Sequence, residues 1–230
     1  MGIVWGRSKS IIGRYCKEWV PHWGKEGKDL SILETTAPYL EKYMPESYKV
    51  VGLEKIAAVP DGKDFMTDTA RSNTIITRSQ FSDKVHNSAV RCISWMTANA
   101  LSFEHTDLFL GRCSEKRLVE IWGPRLAKIP AGWLCLSDRG FAGTARYYPH
   151  CIQQLTPKFK AGRRQFSESE IKTDMDICKL RYTCEVAFSR VTTVKALKDR
   201  IPYWYFNDLD SMNHWGHAKV NLMRPLISVE

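Results

Sequence analysis

Three acidic residues have the types and the spacing that metal-dependent phosphodiester chemistry requires. Asp61 closes a short apolar run, EKIAAVPD (54–61), and Asp138 closes a second one, GWLCLSD (132–138). Glu185 falls inside a long stretch with helical spacing. Carboxylates at two strand ends and on a helix lying across the same sheet edge would form an oxygen cage for two Mg²⁺ or Mn²⁺ ions. Such ions activate a water or a 3′-hydroxyl and stabilise the leaving oxygen, so no nucleophilic side chain is needed.

Each of these acids also has an ordinary structural explanation. Asp61-Gly62 is a common turn pair, and Asp64 or Asp68 would serve equally well as a lone acid. Asp138 could simply start a turn, and Glu185 could be a solvated helix residue. Asp107 is the best substitute should one of the three be wrong. Taken singly, the structural explanation is favoured for each acid, and the pattern of residues leaves the question open.

The elements that must position the acids predict a mixed α/β domain. The capping box formed by Ser167 and Glu170 predicts the start of a long helix. Two β-rich runs, 86–97 and 100–110, predict a hairpin, so part of the sheet is antiparallel. The complete prediction has strands at 54–61, 86–97, 100–110, 132–138 and 151–159. Its helices are at 8–20 (ending or bending at Pro21), 114–123 and 167–197, with a helical linker at 29–50.

The composition points to a folded, basic protein with a polyanionic partner. Lys and Arg number 34 against 25 Asp and Glu, which gives a net charge of +9. Seven cysteines without a CxxC pair indicate free thiols in a reducing compartment. No signal peptide and no transmembrane helix are expected. No phosphate-binding GxxxxGK[ST] loop is found, which disfavours a nucleotide hydrolase.

Six segments between Pro45 and Leu226 resemble one known family. The chain is similar to the DDE endonuclease domain of Harbinger-type (PIF-like) transposases and their relatives among bacterial insertion-sequence transposases. LSDRGF is like the second-aspartate motif of that family, and LRYTCEVAFSRV is like its glutamate helix. The six segments are YKVVGLEKI (48–56), PDGKDF (60–65), LSFEHTDLFLGRCSEKRL (101–118), LSDRGF (136–141), the stretch from GRRQFSESEI to LRYTCEVAFSRV (162–191) and NHWGHAKVNLMRPL (213–226).

The resemblance implies a fold, a site and an activity. The fold is RNase H-like, a mixed five-stranded sheet flanked by helices, with a partial helix-turn-helix at the N-terminus. Residues 1–45 form the partial helix-turn-helix and linker, and residues 46–230 form the catalytic domain. Asp61, Asp138 and Glu185 correspond to the catalytic triad that holds two Mg²⁺ or Mn²⁺ ions. The implied activity is DNA endonuclease and strand transferase of a transposon, and the alternative is a catalytically inactive, domesticated DNA-binding descendant.

The partner implied by the resemblance is DNA, both transposon ends and target DNA. Arg181 lies four residues before Glu185, where it could orient that carboxylate, touch DNA or form a plain ion pair. The loop before the glutamate helix could contact phosphates or be merely solvated. The candidate DNA-binding residues are Lys158, Lys160, Arg163, Arg164, Arg181, Arg14 and Lys17. A homo-oligomer on DNA, a separate DNA-binding partner protein and a nuclear location (cytoplasmic for a bacterial source) are further expectations.

Overall fold

The computed structural model describes residues 9–33, 35–71, 73–148, 153–155, 157, 162, 165–224 and 226–227. The helices are α1 (Lys9–Leu30), α2 (Ala37–Lys42), α3 (Glu46–Lys49), α4 (Thr74–Gln80), α5 (Glu115–Trp122), α6 (Glu168–Val191), α7 (Lys195–Lys198) and α8 (Leu209–Leu222). The strands are β1 (Ile56–Met66), β2 (Phe81–Ser82), β3 (Asn87–Met96), β4 (Ser102–His105), β5 (Phe109–Leu110), β6 (Leu134–Leu136) and β7 (Gln153–Leu155).

The strands form one mixed sheet with β1 near its centre. Its order is β2-β3-β1-β6-β7, and β4 and β5 also pair with β3. β1 runs antiparallel to β3 and parallel to β6, and β6 runs parallel to β7. The predicted strands 54–61, 86–97, 132–138 and 151–159 correspond to β1, β3, β6 and β7, and the predicted strand 100–110 is divided into β4 and β5. With β2 as a short addition, the described sheet has seven strands instead of the five predicted. The mixed sheet flanked by helices, expected for an RNase H-like domain, is therefore confirmed.

The first strand is longer than its local sequence predicts. The prediction that it ends at Asp61 is wrong, because β1 continues to Met66. Every residue from Asp61 to Met66 has a partner on β3, from Asp61 opposite Ser94 to Met66 opposite Ala89. The Asp-Gly pair therefore lies inside the strand, where pairing with β3 overrides its preference for a turn.

Helix α6 crosses the sheet and is fixed to β1 by buried contacts. Its first turn has the predicted capping box, in which the Ser167 side chain accepts from the Glu170 N–H and the Glu170 carboxylate accepts from the Ser167 N–H. The thiol of Cys184 donates to the carbonyl of Val59 on β1 at 3.0 Å. The hydroxyl of Tyr48 donates to the Leu180 carbonyl at 2.9 Å. The helix ends at Val191, short of the predicted end at residue 197.

Helix α1 packs closely along α8. It does not end at Pro21, as one prediction had it, but runs through the proline to Leu30. A Cβ at Gly24 would lie 2.2 Å from the Cβ of Ser211, so only glycine permits this approach. The rings of Trp23 and Trp215 add a contact with centroids 5.1 Å apart. The division of the chain at residues 45 and 46 stays a prediction.

Candidate active site

Asp61 and Asp138 lie at the same level of two neighbouring parallel strands. β1 and β6 pair Ala58 with Cys135, and each aspartate comes three residues after its member of that pair. Asp61 is within β1, whereas Asp138 comes after the end of β6. The parallel register, rather than two strand ends, therefore brings the two carboxylates to one place.

The carboxylate of Asp138 is oriented by a short turn of the backbone. Asp138 caps the 3-10 turn Arg139–Phe141, and its Oδ1 accepts the N–H of Gly140 at 2.8 Å. The Asp61 carboxylate is more enclosed. Burial raises the pKa of Asp61, and the charges of Arg181 and Lys84 offset only part of that effect. Asp61 is thus a carboxylate whose charged form lacks the solvation it would have in water.

One guanidinium lies between the two aspartates. Nη2 of Arg181 is 3.5 Å from Oδ1 of Asp61 and 3.6 Å from Oδ2 of Asp138. The Nε of Arg181 is buried and has no hydrogen-bond partner within the described part of the chain. Both distances are long for an arginine–carboxylate pair, which is commonly bidentate and shorter. Arg181 therefore neutralises the charge of the two aspartates without forming short hydrogen bonds to them. Its partners are these aspartates and not Glu185.

Glu185 is exposed on α6 and lines the same cavity as Asp61. Both residues line a cavity of about 300 Å³, together with Lys84, Asp64 and others. Asp138 and Arg181 line a neighbouring cavity of about 410 Å³. Within the described ranges, no three His, Cys, Asp or Glu side chains approach closely enough to hold a metal ion. The structure thus brings Asp61 and Asp138 together around Arg181, while Glu185 shares a cavity lining with Asp61 alone.

Two charged residues that the sequence analysis did not single out also belong to this region. Glu115, the first residue of α5, has a side chain only 17% exposed, and its Oε1 is 3.8 Å from Nζ of Lys84. Lys84 also donates to the carbonyl of Gly62 at 3.1 Å. A glutamate in the first turn of a helix is ordinary, so nothing in the local sequence identifies it. The only indication in the sequence is a glycine close behind each predicted aspartate, Gly62 after Asp61 and Gly140 after Asp138. These glycines leave room for the side chain of Glu115.

Two of the alternative acids named from the sequence, Asp64 and Asp107, have structural partners. Asp64 pairs with Arg91 across β1 and β3, with Nε to Oδ1 at 2.5 Å and Nη2 to Oδ2 at 2.8 Å. Asp107 lies between β4 and β5, and its Oδ1 is 3.3 Å from Nε2 of His214. Asp64 is thus part of an arginine ion pair, and Asp107 is in contact with a histidine ring.

The candidate DNA-binding residues fall into three groups. Arg14 and Lys17 are exposed on α1. Arg181 lies among the acids, with a side chain 18% exposed. The other four candidates, Lys158, Lys160, Arg163 and Arg164, are outside the described residues. The DNA contacts of all seven therefore stay predictions.

Comparison with known proteins identifies one family. The family model described as "DDE superfamily endonuclease" matches residues 61–218, which span both aspartates, Arg181 and Glu185. No curated protein and no solved structure matches the chain. None of the described helices is both long and apolar enough to cross a membrane.

Proposed function

Because the chain belongs to the DDE superfamily endonucleases, we propose that it is a transposase that cuts DNA at transposon ends and joins them to target DNA. Asp61, Asp138 and Glu185 are the metal-binding acids of this proposal, and Mg²⁺ or Mn²⁺ is the cofactor. The observation that carries it is the convergence of Asp61 and Asp138 on one cation, the Arg181 guanidinium. A pair of carboxylates that already holds a positive charge between them fits a hard divalent ion.

The reaction needs no covalent intermediate with the protein. In hydrolysis a water oxygen attacks phosphorus, the phosphorus–O3′ bond breaks, and the freed 3′ oxygen takes a proton from solvent. In strand transfer that 3′-hydroxyl attacks a target phosphorus, loses its proton to solvent and displaces a target 3′ oxygen. Divalent ions, when bound, polarise the attacking oxygen and stabilise the leaving one.

The side chains of the site have distinct parts in this scheme. Asp61 must be ionised to bind a cation, and its raised pKa makes metal binding favour higher pH. The N–H of Gly140 holds the Asp138 carboxylate in one orientation. Lys84 lies in the cavity that Asp61 and Glu185 line, and its side chain is 54% exposed, so it can contact a DNA phosphate.

The second candidate function is a catalytically silent, transposase-derived DNA-binding protein. The observation that favours it is also at Arg181, because a fixed guanidinium between the aspartates would occupy the place of the metal ion. In the described residues the three acids are not gathered closely enough to hold an ion. An active transposase requires Arg181 to move away from the aspartates when a divalent ion and DNA bind. A catalytically silent DNA-binding protein requires Arg181 to stay between them.

Nicking of a supercoiled plasmid separates the two functions. The wild type is expected to nick DNA in Mn²⁺ or Mg²⁺ and not in EDTA. Asp138→Asn, which keeps the shape of the side chain, is expected to reduce nicking to background. Asp199→Asn, an exposed aspartate just after α7, serves as the matched control and should nick like the wild type. If the folded wild-type protein nicks DNA with neither Mn²⁺ nor Mg²⁺, the proposal of an active nuclease is contradicted.

A further inference from the structure

A cavity with a basic lining lies beside the acids, at the start of α5. Its volume is about 400 Å³, and it adjoins the cavities of both aspartates, sharing Lys84 with one and Gly140 with the other. Two acidic side chains, Asp83 and Glu115, contribute to the lining. The four basic ones are Lys84, Arg91, Arg112 and Lys116. This basic cavity therefore carries an excess of positive charge next to the proposed catalytic centre.

Two of the four cations are already paired within the protein. Arg91 donates to both carboxylate oxygens of Asp64, and its side chain is only 10% exposed. Nζ of Lys84 lies 3.8 Å from Oε1 of Glu115. These contacts balance the charges of Arg91 and Lys84, so the excess of positive charge comes from the other two cations.

Arg112 and Lys116 are the cations that remain available to a ligand. Both residues are exposed, and neither side chain forms an ion pair or a hydrogen bond with a residue that the structure describes. Their two positive charges, set against the one negative charge of Asp83, leave this part of the lining with a net charge of +1. A DNA strand carries one negative charge on each phosphate. A single backbone phosphate would therefore balance the basic cavity.

The backbone that carries these two cations is held in place by the fold. The N–H of Gly111 donates to the carbonyl of Ala89 at 2.9 Å, and the N–H of Arg112 donates to the carbonyl of Ser79 at 3.0 Å. Lys116 is the second residue of α5. Only the two side chains must therefore become ordered when an anion binds, which limits the entropic cost of binding.

We propose that the basic cavity binds a backbone phosphate of the DNA strand that lies across the acids, with Arg112 and Lys116 as positioning residues. The proposal rests on the proposed function, since DNA is the ligand in both. Arginine offers a planar fork of donors to a phosphate, and lysine offers a compact charge. Phosphate contacts fix the position of DNA without reading its sequence. The contribution of this cavity should therefore be the same for every DNA sequence.

DNA binding in EDTA tests the basic cavity without any turnover. The fluorescence anisotropy of a short labelled duplex, titrated at several salt concentrations, gives both the affinity and the number of phosphates neutralised. The double variant Arg112→Gln/Lys116→Gln is expected to weaken binding about 10-fold and to reduce the slope of log affinity against log salt by about 1. The charge-keeping double variant Arg112→Lys/Lys116→Arg should retain most of the affinity.

The matched control removes two positive charges outside the basic cavity. Arg117→Gln/Lys49→Gln changes two exposed residues whose partners are Glu120 and Glu46 at the surface. This control should bind DNA like the wild type and show the same salt slope. In plasmid nicking, the cavity variant should need more DNA than the control to reach half of its maximal rate. Circular dichroism and thermal melts verify that all variants fold.

The outcomes separate this proposal from the proposed function. If the cavity variant and the control bind DNA equally well, the basic cavity holds no phosphate, and the proposed function stands. If the cavity variant alone binds more weakly while the wild type nicks with neither Mn²⁺ nor Mg²⁺, the phosphate site is supported and the active nuclease is contradicted. Absence of DNA binding by the folded wild type would overturn both proposals.

Discussion

Asp61 and Asp64 lie three residues apart on β1 and line the same cavity, but their surroundings move their pKa values in opposite directions. Burial raises the pKa of Asp61, since Arg181 is too distant to compensate fully. Burial also acts on Asp64, but the hydrogen bonds from Arg91 and Ser82 outweigh it and lower the pKa of Asp64. Hydrogen bonds within the protein therefore compensate fully for the burial of Asp64, whereas the charges around Asp61 compensate only in part.

The difference distinguishes Asp64, an acid paired within the sheet, from Asp61, the acid on the same strand that we propose as a metal ligand. Asp64 faces Arg91 in the β1–β3 register, so the sheet itself places the two partners together. Asp61 faces Ser94 in that register, and its cation comes from α6, an element outside the sheet. Perturbed and incompletely paired acids are typical of functional sites. Three predictions below test this contrast, starting with the largest expected effect.

Removing the cation of the structural pair should be strongly destabilising. Arg91→Met leaves the Asp64 side chain, only 2% exposed, without its partner. A buried charge stripped of its partner costs about 3–5 kcal/mol, which urea denaturation would measure. The folded pKa of Asp64 is lowered, so its stabilisation exists at neutral pH and is lost as pH falls through that folded pKa. The difference between wild type and variant should accordingly narrow in acid.

The control for this prediction is Arg117→Met. Arg117 is exposed and pairs with Glu120 on the surface of α5, so its removal should change stability little. If Arg91→Met and Arg117→Met lower the free energy of unfolding equally, the buried Asp64–Arg91 pair stabilises the protein no more than a surface pair. The contrast between Asp64 and Asp61 would then disappear.

Asp61→Asn should stabilise the folded protein in metal-free buffer, in contrast to Arg91→Met. The folded pKa of Asp61 is raised, so its charged form costs stability above that pKa. The variant should melt at a higher temperature than the wild type at neutral pH, and this gain should shrink as pH falls through the folded pKa of Asp61. Plasmid nicking by the same variant should be at background. A variant less stable than the wild type at neutral pH would place Asp61 in the structural class with Asp64.

Arg181→Gln should change the stability of the protein less than the two preceding substitutions. Its main effect should be on the rise in melting temperature that Mn²⁺ produces. Without the guanidinium, Asp61 and Asp138 repel each other, so the metal-free melting temperature should fall. Mn²⁺ should then raise the melting temperature of the variant more than that of the wild type, because no built-in cation competes with it. Equal Mn²⁺ shifts in the two proteins would mean that Arg181 and the ion do not share a place.

The fold was predictable from the sequence where local patterns decide the structure. The hairpin of β3 and β4, the capping box of α6 and the strand before Asp138 all follow from periodicity and capping residues. The end of β1 was not predictable in this way. Asp61-Gly62 has the composition of a turn, and only the pairing partners on β3, distant in sequence, keep it extended.

The site was predictable to a smaller extent. The family resemblance supplied Asp61, Asp138 and Glu185 as candidates, and the parallel register of β1 and β6 explains the proximity of the first two. The helical spacing that suggested a partnership of Arg181 with Glu185 did not reveal that the guanidinium turns toward the aspartates. Glu115 was missed because its approach depends on how α5 packs against two glycines that are distant in sequence, Gly62 on β1 and Gly140 in the turn after β6.

The most direct test of the account is metal-directed cleavage of the protein itself. Fe²⁺ bound in place of Mg²⁺, with ascorbate and hydrogen peroxide, produces hydroxyl radicals that cut the backbone close to the ion, and mass spectrometry locates the cuts. The account predicts cuts near Asp61, Asp138 and Glu185 that excess Mg²⁺ suppresses and that Asp138→Asn abolishes. Cuts confined to other segments, or none in the folded wild type, would contradict the claim that these acids form a divalent-metal site.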